Sequence, residues 1–166
     1  MNGSYAESSV KKKVTTTDTM KKVGLITLAV VCLLAGLIVH LLMLVVGMAM
    51  IGLCFYLIPK FDIMYEYIFC DGQLDFDKIM GGAKRKNMLR VDFEKVVAVA
   101  PANSHALDGY RHDKVKVYDF SSLEPDHKKY GLVTKEGDQS ILVYFEPDEK
   151  MVEVIKKKDP RKFSEY

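Results

Sequence analysis

The side chains best equipped for chemistry in this chain stand in small, separate groups. His105, Asp108, His112 and Asp113 fall within nine residues and offer the nitrogen and oxygen donors that a divalent metal takes. Their intervals match no zinc pattern, and a polar loop carries such residues without binding anything. Asp75 and Asp77 share one face of a strand, the geometry of paired carboxylates. No acid, nucleophile or pocket residue can be set opposite them, which leaves a solvated face. Gly81-Gly82-Ala83-Lys84 carries part of a phosphate-binding loop but lacks the Ser or Thr and the helix that complete one, and neither G-x-S-x-G nor H-E-x-x-H occurs. The expectation is no enzyme, with no catalytic, cofactor-binding or metal-binding residue.

What remains is electrostatic recognition. Lys84, Arg85, Lys86 and Arg90 gather in and just after a polar loop predicted over 81–87, where they either solubilise the loop or meet a protein partner or anionic lipid headgroups. The whole chain carries 24 Lys and Arg against 22 Asp and Glu, so no polybasic field argues for nucleic acid. Cys32, Cys54 and Cys70 form no regular spacing and read as small apolar fillers in a reduced compartment.

The segment that must position everything else is Val23 to Ile58, thirty-six residues without Asp, Glu, Lys or Arg. As one helix it would rise about 54 Å, against a hydrocarbon core of about 30 Å. Two spans, about 20–38 and 41–58, fit better, with Gly36 and His40 at the turn between them. The run far exceeds a signal-peptide core. Lys21 and Lys22 precede it and Lys60 follows it, so both flanks claim the cytoplasm. That places a multi-pass protein in the plasma membrane with both termini inside. Gly36, Gly47 and Gly52 would permit close helix approach, within the pair or in a homo-oligomer. Residues 1–19, rich in Ser, Thr, Asn and Lys, read as a disordered cytoplasmic tail.

Beyond Pro59 the pattern changes to two-residue alternation. Ile63, Tyr65, Tyr67 and Phe69 share a strand face, Asp71-Gly72 makes a tight turn, and Leu74 and Phe76 point back inward. Further strands are predicted over 89–93, 96–100, 114–118, 129–134 and 140–146, with a long polar connection over 102–113. A helix over 147–158 has Asp148 and Glu149 at its positive end and Lys156 to Lys158 at its negative end. The 60–166 region is thus expected to be a domain of seven antiparallel strands and a C-terminal helix.

That order resembles the pleckstrin-homology (PH) fold. Tyr65-Glu66-Tyr67-Ile68-Phe69-Cys70-Asp71-Gly72-Gln73-Leu74 is similar to the first hairpin of bacterial PH-like domains, and Val91-Asp92-Phe93-Glu94-Lys95-Val96 to their third strand leading into a helical turn. With Phe61-Asp62, Asp75 to Met80, Lys116-Val117-Tyr118-Asp119 and Phe145-Glu146-Pro147, the chain resembles a family of small bacterial two-span membrane proteins of unknown function carrying such a domain. The resemblance implies a fold and no activity. Phosphoinositide-binding members of the wider fold place cations on the first hairpin, where this chain has Asp71, Asp75 and Asp77. The reading that follows is a membrane helical hairpin carrying a mainly-β interaction domain. Its partner would be a protein or the inner leaflet, and the alternative is a regulatory or catalytic subunit of a membrane enzyme or transporter.

Overall fold

A computed structural model describes residues 5–38, 41–111, 115–137 and 139–164. The chain divides into two compact units. One is helical and holds residues 13–63 and 80–84; the other is mainly β and holds residues 1–12, 64–79 and 85–166.

In the helical unit, α1 (Thr16–Ile38) and α2 (Leu41–Leu57) are both apolar, and α2 continues into a 3-10 turn, Ile58–Phe61. Asp18 sits in the first turn of α1, where a negative charge is favoured by the helix dipole. α1, and α2 together with that turn (Leu41–Phe61), are each long and apolar enough to cross a membrane. They run antiparallel along a seam of small residues. A methyl group on Gly36 would overlap the backbone of Leu44, and one on Gly47 would lie 2.7 Å from the Leu33 side chain. Ala29 is buried in the same seam, and the Cys54 thiol donates to the Leu25 carbonyl at 3.8 Å. Gly36 was expected at a turn; it is instead helical, and its missing side chain lets the helices close. His40, the other expected turn residue, lies outside the described residues. Gly52 meets nothing within 4 Å.

Among the described residues the β unit contains eight strands, not seven. They form two four-stranded sheets, β1-β2-β3-β4 and β5-β7-β8-β6. The first comprises β1 (Tyr5–Lys11), β2 (Ile63–Cys70), β3 (Gln73–Met80) and β4 (Lys84–Asp92), and the second β5 (Val96–Pro101), β6 (Lys116–Asp119), β7 (Tyr130–Glu136) and β8 (Gln139–Phe145). The extra strand is β1, drawn from the tail expected to be disordered. It pairs antiparallel with β2 from Tyr5↔Cys70 to Lys11↔Met64. Its inward residues are Ala6, Ser8 and Val10, small enough to fit under the C-terminal helix and too weakly apolar to announce a strand. The β domain therefore does not begin at residue 60. It is discontinuous in sequence, with the helical pair inserted between its first two strands.

The expectation that all strands are antiparallel also fails at β6, which runs parallel to β8. Side-chain alternation reports which face a residue takes but not the direction of its neighbour. The polar connection after β5 is organised as a 3-10 segment, His105–Tyr110, capped by Ser104.

Between the sheets lies an aromatic core. Tyr67, Phe76 and Phe145 meet edge to face with centroids 5.5 to 5.8 Å apart, and Phe120 stacks on Phe76 at 5.2 Å. Helix α3 (Glu149–Lys158) adds Met151 and Ile155. Its cap is Asp148, whose carboxylate accepts the Met151 N–H at 2.8 Å, so the helix starts two residues later than predicted.

Candidate functional site

The cations singled out by sequence do not stand together on a loop. The turn ends at Ala83, and Lys84, Arg85, Lys86 and Arg90 all lie on β4, an edge strand. Arg85 forms an ion pair with Glu66 and a second with Asp77 at 2.8 Å. Arg90 grips Asp75 with two parallel bonds, 2.6 and 2.9 Å. That bidentate fork, together with the charge it meets, holds Arg90 more firmly protonated than a free guanidinium. Lys84 and Lys86 are exposed and carry no carboxylate partner among the described residues.

The same pairs revise the acidic face. Asp77, expected in solvent, is 8% exposed and accepts both Arg85 and the Asn87 amide, the latter at 2.8 Å. Asp75 and Asp77 therefore serve to bind β3 to β4. A phosphate approaching this face would compete with carboxylates already in place. The groove beside Asp71-Gly72, where the wider fold binds headgroups, is lined by Asp71, Asp92, Glu94 and Asp159 against Lys158 and Lys162. Lys162 is occupied in turn, donating to the carbonyls of Phe93 and Glu94 at 2.8 and 3.0 Å.

The histidine-rich connection satisfies its own polar groups. His105 Nδ1 lies 2.9 Å from Asp108, whose other oxygen accepts Arg111 at 2.7 Å, and Arg111 also donates to the Ala102 carbonyl. His112 and Asp113 lie outside the described residues.

Sequence reading missed the most connected polar group of the β unit. The crossover from β6 to β7, residues 120–129, is tied down along its length. The hydroxyl of Tyr67 donates to the Phe120 carbonyl at 2.5 Å, and Lys129 pairs with Asp119 at 2.8 Å. Burial pushes the Asp119 carboxyl up, but the bonds from Lys129 and Ser121 outweigh it and hold it below the usual range. At the centre, the nearly buried Glu146 accepts the Ser122 N–H and the Ser122 hydroxyl at 3.0 Å each, and faces His127 Nδ1 at 2.9 Å. The bond to Glu146 raises the His127 pKa, against a smaller opposing effect of burial. Leu123 is held at φ 66°, a left-handed conformation costly for a side chain with a Cβ and sustained by these anchors.

Ser, His and Glu in contact invite comparison with a nucleophilic relay, and the geometry departs from one. A relay needs one ring nitrogen on the serine and the other on the carboxylate. Here His127 Nδ1 faces both Ser122, at 3.1 Å, and Glu146, at 2.9 Å, while Nε2 lies 3.6 Å from Glu124, too far for a hydrogen bond, and Ser122 is fully buried. The group is a latch on the crossover. No local signal could have revealed it, because Ser122 and Glu146 are 24 residues apart and nothing in Phe145-Glu146-Pro147 points to Ser122.

Two comparisons with known proteins, one with curated sequences and one with solved structures, find no match. A family model described as Bacterial PH-like domain (DUF6106) matches residues 2–165.

Proposed function

The chain belongs to the bacterial PH-like domain family, and from that premise we propose that it is a membrane-anchored, non-enzymatic interaction module. The helical pair spans the plasma membrane twice, and the β unit is presented on the cytoplasmic side to a protein partner or to the inner-leaflet surface.

One observation carries the reading. The strand before the helices pairs with the strand after them, and Lys11 stands opposite Met64. Strands on opposite sides of a bilayer cannot share a ladder, so the apolar segment crosses an even number of times. Two helices, of 23 and 17 residues, supply two crossings. Lys21, Lys22 and Lys60 flank them and favour the cytoplasm for that shared side. For a protein ligand, β4 and β6 are outer strands of their sheets, and a peptide can add to such an edge by backbone hydrogen bonding.

Reporters attached at residues 1 and 166 and inserted at residue 40 test the topology. Both ends inside and residue 40 outside are expected; ends on opposite sides would falsify the proposal. Crosslinking in native membranes followed by purification tests the module. A protein recovered with the wild type, and lost when β4 is blocked by Met88→Pro, is the expected result.

A further inference from the structure

We propose that Lys21, Lys22, Lys60 and Lys84 form a binding site for the headgroup of an anionic phospholipid, at the open end of the helical pair. The proposal rests on the membrane reading above and adds the lipid class and the residues that select it.

All four lysines belong to the helical unit, which carries five lysines against two aspartates. Lys21 and Lys22 lie near the start of α1, and Lys60 lies in the 3-10 turn that ends α2. Because the helices run antiparallel, these positions come to the same end. Lys22 Nζ sits 5.9 Å from the centroid of the Phe61 ring, and Lys60 Nζ sits 3.6 Å from that of Tyr56. Lys84 arrives there by a different route. The segment Met80–Lys84, which holds the turn between β3 and β4, folds onto Pro59, and Gly81 donates its N–H to the Asp62 carbonyl at 2.9 Å. A methyl group on Gly81 would lie 2.7 Å from the Pro59 ring, so only glycine permits this seat. Lys84 is thus separated from Arg85, whose charge is spent on Glu66 and Asp77.

None of the four has a carboxylate partner among the described residues. Lys21, Lys60 and Lys84 are exposed, directly above helices whose outward side chains are apolar. Tyr56 and Phe61 mark the level where an aromatic ring prefers the interface. Cations with no enclosed pocket, set at the rim of an apolar surface, suit a ligand held by its own acyl chains, which favours a lipid over free phosphate.

The test uses the full chain in nanodiscs of phosphatidylcholine, with and without phosphatidylglycerol, and native mass spectrometry of the lipid retained on release into detergent. Selective retention of phosphatidylglycerol is expected. K21Q/K22Q/K60Q/K84Q should lower it at least about tenfold, since one lysine at an anionic surface contributes about fivefold. The four-Arg variant should retain it, K128Q/K135Q should match the wild type, and inorganic phosphate should not displace the lipid. Equal retention of both lipids by the wild type, undiminished retention by the Gln variant, or displacement by phosphate would overturn the site. Carbonate washing of native membranes separates this from the parent reading. A wild-type chain that washes out removes both, whereas one that stays without lipid preference removes the site alone.

Discussion

The two units of this protein are closed by opposite means. The seam between α1 and α2 has a weak polar contact from Cys54 to the Leu25 carbonyl and depends on the absence of side chains at Gly36 and Gly47. The β unit closes round an aromatic core and adds polar ties: Tyr67 links one sheet to the other, through Phe120 and Glu146, and Glu146 in turn holds the crossover at Ser122. In the helical pair, specificity is a matter of volume, because in the membrane proposed above lipid tails would solvate its apolar side chains as well as the partner helix does. In the β unit it is a matter of satisfying buried polar groups, each costly if left alone. Added bulk should break the first, and lost acceptors the second.

The largest effect should come from β1. Because Lys11 stands opposite Met64, replacing residues 12–63 by Asn-Gly would join β1 to β2 through a two-residue turn. We expect that shortened chain to unfold cooperatively without detergent, by near-UV circular dichroism. Removing residues 5–11 as well should abolish the transition, since it uncovers β2 along seven paired residues. A chain beginning at residue 60 is the same defective object. If it folds as well as the joined chain, β1 is ornamental and the comparison between the units is wrong.

Next in size is Glu146→Ala. It strands the N–H and hydroxyl of the fully buried Ser122 and should cost about 3 kcal/mol in a denaturant titration of the joined chain. Glu146→Gln keeps an acceptor and should cost about half as much. Proteolysis within 121–127 should rise in step.

Gly36→Ala tests the other unit. The added methyl meets the backbone of Leu44, which cannot rotate away, and overpacking of this kind costs about 2 kcal/mol. Thermal unfolding of the full chain in detergent should show the loss. Gly52→Ala, at a position with nothing within 4 Å, should leave the transition unmoved. Equal effects at both glycines would mean that the seam is not where packing places it.

These differences also explain what the sequence could disclose. The helical pair was legible because a charge-free run of that length has few physical solutions. The strands from Ile63 to Met80 were legible because Tyr65, Tyr67, Phe69, Leu74 and Phe76 alternate with polar residues across an Asp-Gly turn. β1 was not, since Ala6, Ser8 and Val10 carry little hydrophobic signal and its partner lies beyond the whole helical pair, from Lys11↔Met64 onwards. The pairing of Arg85 and Arg90 with Asp77 and Asp75 was hidden by assigning the cations to a loop. Charge counts located the positive residues, but only strand register reveals which of them are already neutralised.

The smallest effect is expected from pH, and it isolates the latch from the core beneath it. The His127 pKa is raised above its ordinary 6.5, first by the bond to Glu146 and then by the charges of Glu146, Glu124 and Asp126. A group that holds its proton more tightly when folded contributes stability below the unfolded pKa and loses that contribution as pH rises through the folded value. The latch should therefore be tightest below about pH 6.5 and loosen as pH rises through the raised folded value. The loss should be partial, because a neutral ring protonated on Nδ1 still donates to Glu146, without the added strength of charge. His127→Gln should remove the pH dependence across that window, and Glu146→Gln should reduce it, leaving only the smaller contributions of Glu124 and Asp126. Hydrogen exchange of the Ser122 amide, followed from below to above that range, would show the change directly. An exchange rate with only its ordinary base-catalysed slope would mean that the Ser122–Glu146 bonds hold the crossover without the histidine.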